Sequence, residues 1–139
     1  MEKIERFVPL LGRILLSLIF VMSGLSKIGG WEQTSGYMAS KGMPMVPIFL
    51  LGAIVFEVLG GLTVLLGFKA KLGATALIIF LIPTTFIFHN FWTLEGMERQ
   101  MQMAMFMKNL SIMGGLLLVV GLGPGPLSFD NRKNKENSV

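Results

Sequence analysis

Glu57 is the only ionisable residue in the apolar run from Val46 to Phe68. A charge at that depth in a bilayer is costly, so such residues usually face a bundle interior or a wet cavity. Ala53, Glu57, Gly60, Gly61 and Val64 share one side of a helix at 3.6-residue spacing. Small residues on that side let a neighbouring helix approach closely. Other apolar runs carry Arg13, Lys27, His89, Asn90, Lys108 and Asn109. A carboxylate, ammonium groups and an imidazole gathered in a low dielectric can relay a proton or hydrogen-bond a small ligand. The same groups can serve only as a counter-ion pair that fixes helix register. Arg13 and Lys27 can also snorkel to the headgroups, and His89 beside Trp92 can be an interfacial residue.

Other chemistries have less support. The chain has no cysteine, which excludes disulfides, thiol catalysis and thiolate metal sites. A lone histidine supports neither a zinc nor a haem site, and no metal is expected. Met97, Met101, Met103, Met105 and Met107 are soft donors for Cu(I). Period-two spacing scatters them around a helix, so pliable packing is the expected role. No glycine-rich nucleotide motif is present.

The elements that must position these groups are membrane spans. Of 139 residues, 53% are hydrophobic and 14% charged, against about 25% charged in soluble domains. The mean hydropathy is +0.68. We expect a single all-α domain over residues 1–139, an integral membrane four-helix bundle in the lipid bilayer. Its spans fall at about 7–28, 46–68, 72–92 and 101–122. The first is too long for a signal peptide, contains Arg13 and lacks a cleavage site. On it, Arg13, Ser17, Phe20, Gly24 and Lys27 share an inward face. Residues 29–45 read as a loop or partial helix. Pro83 should kink the third span, with Thr84 or Thr85 serving freed carbonyls. Gly123-Pro124-Gly125-Pro126 ends the fourth. The tail at 130–139 is expected to be polar and frayed.

Lys3, Arg6, Lys69, Lys71, Arg132, Lys133 and Lys135 gather on one side, so both termini are expected in the cytoplasm. The net charge of +4 therefore reflects topology and not a nucleic-acid surface. With that topology Glu57 lies near the midplane, and Lys27, His89, Lys108 and Asn109 converge on the outer half. Lys108 is the expected cationic partner of Glu57. Arg13 sits nearer the cytoplasmic end and is a weaker partner.

An ordered set of motifs carries a family resemblance. They are Gly12-Arg13 leading to Ser23-Gly24-Leu25-Ser26-Lys27-Ile28, Phe56-Glu57-Val58-Leu59-Gly60-Gly61 with Leu66-Gly67-Phe68, and Phe88-His89-Asn90-Phe91-Trp92. Phe106 to Gly115 and Gly123 to Asp130 complete it. In these the chain resembles the DoxX family of small four-helix proteins of the bacterial cytoplasmic (inner) membrane. The family takes its name from a membrane subunit of a thiosulfate:quinone oxidoreductase. The resemblance thus implies a multi-pass inner-membrane protein and a quinone-associated redox role. It selects Arg13, Lys27, Glu57, His89, Asn90, Lys108 and Asn109 as site residues. No intrinsic cofactor is expected, so a bound quinone or a redox partner protein would carry the electrons.

The leading expectation is a quinone-interacting subunit of a membrane oxidoreductase. In it His89 or Lys108 hydrogen-bonds a carbonyl and Glu57 relays the proton. A non-enzymatic assembly or anchor protein with a structural ion pair is the alternative. A small-solute transporter comes third, because four helices leave room for alternating access only in a homo-oligomer.

Overall fold

A computed structural model describes residues 2–136. Every regular element among them is a helix: α1 (Glu2–Gly29), α2 (Trp31–Ser40), α3 (Val46–Leu66), α4 (Ala70–Phe88), a 3-10 turn (Phe91–Thr93), α5 (Gly96–Leu122) and α6 (Phe129–Glu136). Helices α1, α3, α4 and α5 are long and apolar enough to cross a membrane. The 21 residues of α3 span about 31 Å at 1.5 Å per residue, close to the hydrocarbon thickness.

Side-chain distribution is the reverse of a soluble protein's. Leu15, Ile48, Leu72 and Leu118 are exposed, whereas Arg13, Ser17, Glu57, Thr85 and Asn109 are buried. Lipid solvates the first set, and the polar set finds partners only inside. The expected inward face of α1 is observed, with Arg13, Ser17, Phe20 and Gly24 all buried.

Helix α3 packs between α1 and α4, and α4 packs between α3 and α5. Helices α1 and α5 touch sparsely. Their contact lies near the Leu16–Gly115 level, where a methyl on Gly115 would come 3.2 Å from Leu16 Cδ1. Glycine brings the helices together elsewhere too. A Cβ on Gly24 would lie 2.6 Å from Val58 Cγ2, and one on Gly60 2.7 Å from Leu77 Cγ. Phe20, Val64, Leu77, Leu81 and Leu116 fill the half of the bundle nearer the termini. Met38, Leu50 and Ile54 form a second core where α2 lies across the other end.

Residues 29–45, read as a loop or partial helix, hold the ten-residue helix α2. Helix α4 includes Pro83 within its span, and Thr84 donates its hydroxyl to Phe80 O at 2.8 Å. Helix α4 stops at Phe88, and α5 begins at Gly96, about a turn before the expected start. Between them Phe86, Phe91, Trp92 and Phe106 form an edge-to-face cluster that ties the 3-10 turn to both helices.

Most of the expected polar tail falls in α6 (Phe129–Glu136); residues 137–139 of it lie outside the described residues. Helix α3 ends at Gly67 in the left-handed region, φ 67°. The carbonyl of Gly67 accepts from Asp130 N at 2.8 Å. The Asp130 carboxylate then accepts from Lys69 N at 2.7 Å and Ala70 N at 3.0 Å, capping α4 from 60 residues away. Arg13 Nη2 donates to Leu127 O at 2.5 Å. The Gly-Pro-Gly-Pro turn thus feeds a segment that clasps the ends of α1, α3 and α4 together.

Candidate functional site

Ser23 and Lys27 lie one turn apart on α1, on either side of Gly24. Because Gly24 lets α1 settle against Val58 and Glu57 of α3, both side chains reach the carboxylate. Lys27 Nζ sits 2.8 Å from Glu57 Oε2 and donates to Oε1 at 3.1 Å and to Ser23 Oγ at 2.6 Å. Ser23 Oγ in turn donates to Oε1 at 3.0 Å. Glu57 is 5% exposed. Its Oε2 has the ammonium as an ionic neighbour but receives no aligned hydrogen bond.

This cluster forms the wall between two cavities. The larger, about 560 Å³, lies between α2, α3 and α4. Ile48, Phe49, Phe56, Phe80, Ile87 and Phe88 make it apolar, and Gly52 and Ala53 leave it room. Helix α2 and the loop after it add Thr34, Tyr37, Met38 and Met43. The smaller, about 170 Å³, lies between α1, α4 and α5, ample for water among polar walls. Lys27, Glu57, Phe80, Thr84 and His89 line both.

His89 caps the end of α4. Its Nδ1 lies 2.8 Å from Gln102 Oε1 on α5. An amide oxygen only accepts, so Nδ1 is the donor in this contact. Tyr37 on α2 donates to Phe88 O at 3.4 Å. Burial, with the Glu98 carboxylate second, pushes its phenol above the ordinary value. It therefore remains a neutral hydroxyl near neutral pH.

The other residues marked in the sequence are dispersed. Lys108 is not the partner of Glu57: it is exposed on α5 with Nζ 3.2 Å from Met105 Sδ, and it reaches only the small cavity. Helix α5 packs on α4, whereas α3 is flanked by α1 and α4, so Lys108 and Glu57 stand on helices that do not pack side by side. Asn109 lines the small cavity and donates to Thr85 Oγ1 at 3.0 Å. Asn90 starts the 3-10 turn, its buried Oδ1 unbonded, and lines neither cavity. Arg13 lies at the opposite end of α1, buried in the clasp. Ser23, Thr84 and Gln102 escaped the sequence reading as site residues. Only Ser23 left a trace, four residues before a lysine on the inward face.

Comparison with known proteins agrees with this architecture. The DoxX family model matches residues 8–90. Inner membrane protein YqjF of Escherichia coli (strain K12) is 38% identical, over 98% of this chain and 99% of that protein. Inner membrane protein YphA of the same strain is 37% identical, over 88% of each. A Surfeit locus protein 4 homolog of Drosophila melanogaster is 31% identical over 96% of this chain, which spans 44% of that longer protein. No solved structure matches. The inner-membrane relatives and four apolar spans describe a multi-pass inner-membrane protein, and the chain belongs to the DoxX family.

Proposed function

We propose that the protein binds a membrane-soluble ring compound of the quinone class in the larger cavity and works beside a redox partner. One observation carries this reading: a mostly apolar chamber of about 560 Å³ with a polar wall of Lys27, Glu57, Thr84 and His89. Ligand sites are typically apolar clefts of roughly 300–1,000 Å³ with a few placed polar groups. The aromatic walls would hold a ring, and the polar wall would orient its oxygens. When bound, a quinone supplies two-electron, two-proton chemistry. The chain's own part is to shield the ring from lipid and to hold a proton at the Glu57 carboxylate. The small cavity on the far side of Glu57 gives that proton a polar exit. On the positive-inside rule, both cavities would lie in the half of the membrane away from the cytoplasm.

The test is titration of the purified protein in lipid nanodiscs with ubiquinone-1, beside Glu57→Gln. Saturable binding that weakens in the variant supports the reading. Failure of both proteins to bind removes it.

A second reading has its own observation. The Lys27–Glu57–Ser23 cluster joins α1 to α3 with every contact at 3.1 Å or less. On this reading the protein is a membrane assembly partner, and the cluster fixes helix register.

A further inference from the structure

We infer that the larger cavity opens sideways to the bilayer through a window in the α3–α4 seam, and that its ligand is a ring with a long hydrocarbon tail that stays in the lipid. This rests on the larger cavity being the ring-compound site.

Helices α3 and α4 run antiparallel from the short turn at Gly67–Lys69, and their seam is a ladder. Nearest the turn Gly73 lies against Thr63, and next a Cβ on Gly60 would lie 2.7 Å from Leu77 Cγ. One turn further on, Phe56 stacks on Phe80 with ring centroids 6.2 Å apart. The rungs step by three or four residues along each helix, the spacing of a single helix face. Continued, that register sets Gly52 and Ala53 opposite Pro83 and Thr84, and then Phe49 opposite Ile87. The rung at Gly52 and Ala53 is missing. Small residues in a membrane seam bring helices together, as Gly60 and Gly73 do here. Gly52 does not, because a Cβ there would meet nothing within 4 Å. Gly52, Ala53, Pro83 and Thr84 line the chamber instead.

Phe56 and Phe80 frame this gap on one side, and Phe49 and Ile87 on the other. The frame is open to the surroundings: Phe49, Phe56, Pro83 and Ile87 are exposed, whereas Glu57 at the back of the chamber is buried. Gly52 stands six residues into α3, about 9 Å from its start at 1.5 Å per residue. The gap therefore faces acyl chains and not water. A ring with ten isoprene units is far larger than the chamber of about 560 Å³, so its tail has to leave by the gap while the ring meets Lys27 and Glu57. That tail lies in lipid before and after binding, leaves no water behind, and adds nothing to the affinity.

The experiment compares ubiquinone-1 with ubiquinone-10, which share one ring. Each is titrated into nanodiscs that hold the protein, and affinity is expressed per mole fraction in the lipid. The two should agree within about threefold. The chain has no cysteine, so Gly52→Cys with Pro83→Cys can be bridged across the gap by a short bis-methanethiosulfonate. Bridging should weaken ubiquinone-10 at least about tenfold relative to ubiquinone-1, and thiol reduction should restore the parent ratio. The ratio is the readout because general damage to the ring site lowers both ligands alike. Ubiquinone-10 already about tenfold weaker in the parent shows a chamber closed to lipid; it overturns the inference and leaves the cavity reading standing. No binding of ubiquinone-1 to the parent overturns the cavity reading itself. A bridged protein that keeps the parent ratio, with both ligands unchanged or both lost, overturns the window.

Discussion

Glu57 was legible in the sequence because a single charge in an apolar run has few places to go. Its partner was not. Depth alone brought Lys27 and Lys108 to the same half of the bundle, and only the packing order of the helices decides between them. Lys27 stands on α1, which packs against α3; Lys108 stands on α5, which does not flank it. The two lysines should therefore behave differently on mutation. Lys27→Met leaves Glu57 buried without its cation, which in folded proteins costs about 3–5 kcal/mol. We expect the lower end, since Lys27 keeps 22% of its side chain accessible. Adding Glu57→Gln to Lys27→Met should recover part of the loss. Lys108→Ala should cost less than about 0.5 kcal/mol, as an exposed side chain with no ionic partner among the described residues. Thermal unfolding in one detergent ranks all three. Lys108→Ala as damaging as Lys27→Met would refute the observed pairing.

The helices were legible as spans, and their ends were not. Apolar length marks the core of a helix, whereas its termini depend on capping groups that come from distant sequence. Helix α4 is the plainest case. Lys69 precedes it in a left-handed conformation at φ 49° and makes no side-chain cap of its own. The cap is Asp130, read in the sequence as the start of a frayed tail. Likewise Arg13 was open to two readings, an inward-facing residue or a snorkelling cation, and the acceptor at Leu127 O decides for the first. Asp130→Ala should cost about 1 kcal/mol, as loss of a helix N-cap usually does. Hydrogen exchange offers a local check, with the amides of Lys69 and Ala70 exchanging faster in the variant while those around Glu57 stay protected. Uniform loss of protection across α3 and α4 would mean that Asp130 holds the whole bundle and is more than a cap. Gly67→Ala strikes the same clasp from the other side. It forces a left-handed residue to carry a side chain against Arg13 and Ser128. It should lower the melting temperature further than Asp130→Ala does.

Taken whole, the molecule is well packed near its termini and hollow toward α2. Phe20, Val64, Leu77 and Leu116 fill the first half, and a chamber of about 560 Å³ occupies the second. Hollowness was beyond the sequence: Gly60 was placed on a close-packing face, and nothing marked open space beside Gly52. A Cβ at Gly60 would strike Leu77 at 2.7 Å, whereas one at Gly52 meets nothing within 4 Å. That contrast separates binding from folding. Gly52→Leu puts a side chain into the chamber and replaces a poor helix former, which alone favours α3 by up to about 1 kcal/mol. The variant should melt at or above the parent temperature and bind ubiquinone-1 at least about tenfold more weakly, since filling the site removes the space the ring needs. Gly60→Leu should instead lower the melting temperature sharply, as overpacking a close helix contact does. If Gly52→Leu keeps both its stability and its affinity, the chamber does not hold the ligand, and the Lys27–Glu57 cluster is left with the register of α1 on α3 as its role.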